Sequence, residues 1–249
     1  MMRTILAAAL LSGSFAFAQA PAASDDPVKL KADFERAQRT LQDWPNLARY
    51  RADNEKLAAP AAGEKRVVFM GDSITDAWGR RGGTFFPGKP YVNRGISGQT
   101  TPQMLIRFRP DVIALKPAAV VILAGTNDIA GNTGPMTLEM IQDNIASMVQ
   151  LAKANGIKVV LSSVMPVCDY HRPQMARRPP EKIIALNKWI AEYAAKQGAV
   201  YLDYYSAMLD DAKLLRKEIT GDGLHPNDAG YAIMEPLAQA AIDKALKGK

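Results

Sequence analysis

Apolar residues follow two rhythms along this chain. Short runs that are almost wholly apolar alternate with longer stretches where apolar side chains recur every three or four positions. The runs are Val67-Val68-Phe69-Met70, Tyr91-Val92-Asn93 (the weakest), Val120-Val121-Ile122-Leu123, Val159-Val160-Leu161 and Val200-Tyr201-Leu202. Such runs predict five strands of a parallel sheet buried on both faces. Residues 137–155 place Leu138, Ile141, Ile145, Met148, Val149 and Leu151 on one stripe and stop at Gly156, which predicts a helix. Residues 180–197 repeat the pattern with Ile183, Leu186, Trp189, Ile190 and Tyr193 before Gly198. Residues 227–247 form the last helical stretch, with Asn227 as its cap and Pro236 as a kink. Strands and helices in alternation predict a doubly wound three-layer α/β/α sandwich around a five-stranded parallel sheet.

The pattern also divides the chain. Residues 28–57 are charged and helical, interrupted at Trp44-Pro45, with Leu30, Phe34, Ala37 and Leu41 on one face. Residues 58–63 read as an Ala-rich linker, so residues 21–63 form a helical arm and residues 64–249 the main domain. The first residues differ from the rest. Arg3 precedes an apolar run from Ile5 to Leu11, and Ala16-Phe17-Ala18 and Ala18-Gln19-Ala20 offer cleavage sites before Pro21. This is the layout of a secretory signal peptide over residues 1–20, cut after Ala18 or Ala20. A periplasmic or extracellular location is the expectation.

Composition narrows the function classes. The chain has 249 residues, enough to bury a full core, and its 48% hydrophobic and 22% charged content is that of a globular protein. Beyond the N-terminal run no segment is long and apolar enough to span a bilayer. The net charge of +6 is dispersed, with no dense basic block that would mark a nucleic-acid partner. A lone Cys168 has no partner for an internal disulfide and reads as a small buried apolar residue. Oligomeric state leaves no trace in the pattern.

Four segments carry candidate chemistry: Gly71-Asp72-Ser73-Ile74, Asn93-Arg94-Gly95, Gly125-Thr126-Asn127-Asp128 and Asp222-Gly223-Leu224-His225-Pro226. The first three follow the first three strands, and ligands of such sheets bind beyond the strands' carboxyl ends. Ser73 is a hydroxyl nucleophile that needs a base. The chain has two histidines. His225 is the stronger candidate, because Asp222 three positions earlier can orient its ring. Oxyanion donors are the amides of Ser73 and Gly95 and the side chain of Asn127; the plainer roles of turn glycine and loop cap stay open for the last two. Asp72, Trp78 and His171 are substrate-side candidates, with loop ordering the alternative for Asp72 and Asp128, and solvent exposure for His171. Residues 79–90, rich in Gly, read as a substrate-side loop, where Phe85, Phe86 and Tyr91 either line a sugar platform or pack in the core. A Gly-x-Ser-x-Gly elbow, a His-Glu-x-x-His zinc motif and a phosphate-cradling Gly-x-x-x-x-Gly-Lys followed by Ser or Thr are all missing from the sequence.

Together the four segments resemble the blocks of the SGNH, or GDSL-type, hydrolases over about residues 67–247. Ser73, Gly95, Asn127 and His225 match the four name-giving residues, and Asp222 matches the acid. Ile74 stands where the family's motif has Leu. Gly71 to Thr75 with Trp78 is most similar to the platelet-activating-factor-acetylhydrolase-like and carbohydrate-acetylesterase-like branch. The resemblance implies a flavodoxin-like fold, no metal or cofactor, and hydrolysis of short esters, acetyl foremost, through an acyl-enzyme on Ser73. An O-acyltransferase using the same serine, a lysophospholipase or lipase, and a non-catalytic envelope-binding protein are the alternatives.

Overall fold

The computed structural model describes residues 26–247, so the predicted signal peptide lies outside the described residues. Two compact units divide at Gln42/Asp43. In the first, helix α1 (Pro27–Gln42) exposes Val28, Leu30, Phe34 and Leu41. The second holds the rest, and residues 43–63 belong to it. Helix α2 (Arg51–Lys56) sits there, with the Asn54 side chain donating to Pro110 O and to Asp111 Oδ1.

Five parallel strands follow: β1 (Val67–Gly71), β2 (Tyr91–Gly95), β3 (Ala119–Leu123), β4 (Lys158–Ser162) and β5 (Val200–Leu202). Their order is β2-β1-β3-β4-β5, with Gly71 in register with Gly95 and with Leu123. The chain leaves β1 to one side for β2 and returns to the other for β3. The carboxyl end of β1 is therefore a switch point, where neighbouring loops splay apart and leave a crevice.

Alternation along each strand builds two cores. Val68, Met70, Val120, Ile122, Val159 and Leu161 point to one face and meet Met104, Phe108, Ile141, Ile145, Ile183 and Leu186. Those partners come from α4 (Thr101–Asp111), α6 (Leu138–Ala154) and α7 (Pro180–Gln197). Val67, Phe69, Val121, Leu123 and Val160 point the other way, onto Tyr231, Met234, Ala238 and Ile242 of α9 (Asp228–Lys247). This is the three-layer sandwich that the apolar runs predict, since a strand with side chains buried on both sides needs helices on both. Asn227 Oδ1 accepts from Gly230 N at 3.1 Å and caps α9 as expected. Short helices α3 (Ser73–Ala77), α5 (Thr126–Ile129) and α8 (Tyr204–Ala207) complete the unit. Among the described residues no helix is long and apolar enough to cross a membrane.

Helix α4 also braces the strand ends. Arg107 is fully buried and donates to Gly71 O at 3.0 Å, Arg94 O at 2.8 Å and Gln99 Oε1 at 2.5 Å, with Asp111 Oδ2 at 3.1 Å as its counter-ion. One guanidinium thus pins the ends of β1 and β2 and the loop that follows them.

Candidate active site

At the end of β1 the chain turns directly into α3. Asp72 caps that helix, its Oδ1 accepting from Ile74 N at 3.0 Å. Ser73 is the first helical residue, so its own N–H has no intrahelical acceptor. Its Oγ lies 2.8 Å from His225 Nε2, although 152 positions separate them in sequence. His225 Nδ1 lies 2.6 Å from Asp222 Oδ2. With the Nδ1 proton directed at Asp222, Nε2 is left to accept the serine proton.

The acid–base loop is locally determined. Asp222 Oδ1 accepts from the amides of Leu224 at 2.9 Å and His225 at 2.8 Å. Thr220 Oγ1 accepts from Gly223 N and donates to His225 O at 2.8 Å, closing the turn. Partial burial pushes the Asp222 carboxyl up, but the hydrogen bonds from the His225 ring and from the two amides outweigh it, and its pKa lies below the ordinary value. Asp222 therefore stays ionised beside the imidazole at neutral pH. Ser73, Asp222 and His225 line one cavity of about 360 Å³, together with Arg81, Ser97 and Tyr231.

Of the three candidate oxyanion donors, the Gly95 amide is already engaged. Gly95 N–H is already donated to Asn93 Oδ1 at 2.9 Å, and Gly95 O accepts from Tyr50 Oη. Gly95 is buried within β2, and a methyl on it would come within 2.1 Å of Asp76 N. It is glycine so that α3 can pack on β2, and its amide is not available to a ligand. Three residues on, Gly98 has φ +81°, is exposed, and its N–H has no acceptor among the described residues. Its neighbour Ser97 lines the Ser73 cavity. Two substitutions separate these glycines. Gly95→Ala is expected to destabilise the fold by about 1–3 kcal/mol through overpacking. Gly98→Ala has open space around its Cβ, the nearest atom lying at 3.9 Å, and is expected to cost only about 1 kcal/mol of backbone strain. Denaturant unfolding of both variants checks the contrast; equal losses would contradict it.

Asn127 is buried at the start of α5. Its Nδ2 donates one hydrogen to Gln99 O at 3.0 Å and its Oδ1 accepts from Arg178 at 3.3 Å. An amide nitrogen carries two hydrogens, so one remains for a ligand.

The substrate-side candidates separate. Trp78 is 2% exposed, donates its indole N–H to Thr84 O, and packs edge-on to Phe69 and Phe85. It is a core residue and does not face a ligand, because its ring completes the apolar cluster beside α9. Phe86 is buried in the same cluster, at 5.2 Å from the Trp78 ring, and core packing holds for it instead of a sugar platform. His171 is exposed, with Nε2 3.1 Å from Lys217 O, and does not line the cavity. Asp72 is fully buried beneath the nucleophile, so it too does not face solvent. Asp128 serves its loop, its Oδ1 accepting from Thr101 N at 2.8 Å and Thr101 Oγ1 at 2.5 Å. Cys168 is buried in the core. Among the described residues no three His, Cys, Asp or Glu side chains gather to hold a metal.

Burial pushes the Asp72 carboxyl up to about 6, with the Ile74 amide and His225 pulling the other way. A folded-state pKa above the unfolded value favours the protonated native form. The stability it contributes is present below about pH 4 and is lost as pH rises through about 6. Asn caps a helix as well as Asp and does not ionise. The stability advantage of Asp72→Asn over the parent is therefore expected to grow by roughly 2–3 kcal/mol between pH 4 and pH 7. Urea unfolding at the two pH values measures it, and a constant difference would count against a buried carboxylate here.

Known proteins resemble this chain in sequence and in fold. Residues 69–233 match the model of the GDSL-like lipase/acylhydrolase family. The crystal structure of a GDSL-like lipase from Bacteroides thetaiotaomicron is 48% identical, covers 81% of this chain and 98% of its own, and superposes with a TM-score of 0.76. An acetylxylan esterase of Geobacillus stearothermophilus is 28% identical over 204 residues, 70% of this chain and 91% of the relative. One of Xylanibacter ruminicola is 25% identical over 245 residues, 84% of this chain and 48% of the relative. Three of the curated relatives are spanned over only 46%, 60% and 48% of their own length.

Proposed function

This chain belongs to the GDSL-like lipase/acylhydrolase family, and from that premise we propose that it is a serine ester hydrolase that removes short acyl groups, acetyl foremost, from a carbohydrate or other polar alcohol. The observation that carries the reading is the continuous Ser73–His225–Asp222 relay, with separations of 2.8 and 2.6 Å. Ser73 Oγ attacks the ester carbonyl while His225 Nε2 takes its proton. The carbonyl oxygen becomes an oxyanion facing the N–H groups of Ser73 and Gly98 and the second hydrogen of Asn127 Nδ2. Collapse breaks the bond to the alcohol oxygen, which leaves with the proton from His225. Water, deprotonated by the same imidazole, then releases the acid from Ser73.

Two features support a short acyl group and a polar leaving group. The Ser73 cavity, about 360 Å³, is at the small end of ligand pockets and is walled by Ala77, Ser97 and Gly221 beside the relay. Arg81, which makes no ion pair among the described residues, lines it and also lines an adjoining cavity of about 530 Å³ with Arg80, Thr84, Asp228 and Glu235. Such a lining suits a polyhydroxylated alcohol better than a lipid chain. The names of the two acetylxylan esterase relatives point the same way. Assay with p-nitrophenyl acetate, butyrate and octanoate beside acetylated xylan tests the reading. Acetyl esters are expected to give the highest kcat/KM; a preference for octanoate would overturn the short-acyl assignment. Export is proposed on the N-terminal pattern, and the secreted protein is expected to begin at Gln19 or Pro21. Recovery only as cytoplasmic protein beginning at Met1 would refute it.

A further inference from the structure

The loop before α7 delivers a charge that the mechanism above leaves unused. Arg178 is 5% exposed. Its Nε donates to Thr126 Oγ1 at 3.1 Å, and its two terminal nitrogens donate to Gln174 Oε1 at 2.9 Å and Asn127 Oδ1 at 3.3 Å. All three acceptors are neutral. Among the described residues no carboxylate lies within ion-pair distance of it; of the three other buried arginines, Arg66 and Arg107 are paired with Glu64 and Asp111, and Arg94 lies over the Tyr50 ring. A buried cation without a direct ion pair costs stability, and desolvation depresses its pKa, with the Asp72 and Asp222 carboxylates pulling the other way. Such a cost is typical of a site where negative charge must be met.

The geometry indicates which charge. A guanidinium only donates, so it holds the Asn127 amide with Oδ1 inward. A flipped amide would set NH₂ against the guanidinium and present oxygen to Gln99 O, losing both hydrogen bonds. Arg178 and Gln99 O together determine that nitrogen, not oxygen, faces the reacting carbonyl. It also polarises the amide it binds, which strengthens the remaining N–H as a donor. Gln174 extends the chain to the acid–base loop, with Nε2 donating to Asp222 O at 3.1 Å. One side chain thus links the oxyanion amide to the loop that carries the base.

We propose that Arg178 is a positioning residue of the oxyanion site: its guanidinium, held by neutral acceptors alone, fixes the Asn127 amide in the donating orientation and favours the negative charge that develops beside it. The inference rests on Ser73 being the nucleophile. Its effect is confined to the transition state, so it acts on kcat and not on KM.

The test is a double-mutant cycle on the full chain with p-nitrophenyl acetate. Arg178→Gln is expected to lower kcat about 10- to 100-fold with KM within about twofold, a smaller effect than removal of an oxyanion donor itself. Arg178→Lys keeps the charge and one hydrogen bond and is expected to recover part of the loss. In an Asn127→Ala background Arg178→Gln should cost less than about threefold, because its route of action is gone. Wild-type kcat in Arg178→Gln, or its full loss persisting in the Asn127→Ala background, would overturn the proposal. Should Arg178→Gln show no cooperative thermal melt, Arg178→Lys carries the same cycle, and an unchanged kcat there overturns it equally. Ser73→Ala run alongside keeps the two readings apart. Turnover surviving in that variant refutes the nucleophile, while turnover lost there and unaffected by Arg178 refutes only this inference.

Discussion

Ser73→Ala is expected to reduce hydrolysis of p-nitrophenyl acetate by about 10⁴- to 10⁶-fold while leaving the fold intact. The size follows from what the hydroxyl does. Among the described residues its hydrogen bond is to His225 Nε2 alone, so there it holds no other element in place. Losing it removes the covalent route altogether, leaving only substrate binding and the oxyanion donors to act on a water molecule. Helix α3 starts at the same place in the variant, because its cap is Asp72 and the Ser73 backbone is unchanged. Steady-state turnover and a thermal melt on the same sample separate chemistry from folding. A variant that melts like the parent and retains more than a tenth of its turnover would remove Ser73 from the mechanism.

Asn127→Ala carries the second largest effect, a fall in kcat of about 10²- to 10³-fold with KM little changed. Unlike Ser73, Asn127 also holds structure. Its side chain satisfies Gln99 O and accepts from Arg178, both in buried surroundings. Truncation leaves those partners unpaired and is expected to cost about 1–3 kcal/mol of stability as well. The two effects are separable: the stability loss shows in denaturant unfolding, the catalytic loss in kcat at temperatures where the variant remains folded. A stability loss with unchanged kcat would make Asn127 a loop brace alone.

The relay was legible in the sequence because its parts obey local and topological rules. Asp222 and His225 are three residues apart on one turn, and Ser73 ends a strand whose carboxyl edge must form the crevice. The five apolar runs gave the strands to within a residue or two, and the stripe over residues 180–197 matches α7 end to end. Helix α4 escaped, since Pro110 and the buried Arg107 break its apolar stripe; the signal lay in its capping pair, Gln103 Oε1 accepting from Thr100 N. The choice between Gly95 and Gly98 was beyond a strand-end rule. Which amide is free depends on Asn93 folding back onto Gly95, a side-chain event. Trp78 read as a substrate wall because an aromatic beside a nucleophile is equally compatible with core and cleft. Arg178 was illegible for the opposite reason: Arg177-Arg178-Pro179-Pro180 looks like a solvated loop, and only the folded chain brings one of those charges against Asn127.

The relay itself is open to a direct chemical test. Incubation with a fluorophosphonate, followed by digestion and peptide mass spectrometry, reports which hydroxyl is activated. One adduct on the peptide containing Ser73, forming at least about 100-fold more slowly in His225→Ala, is the predicted result. An unmodified Ser73, or labelling at an undiminished rate without His225, would contradict the account.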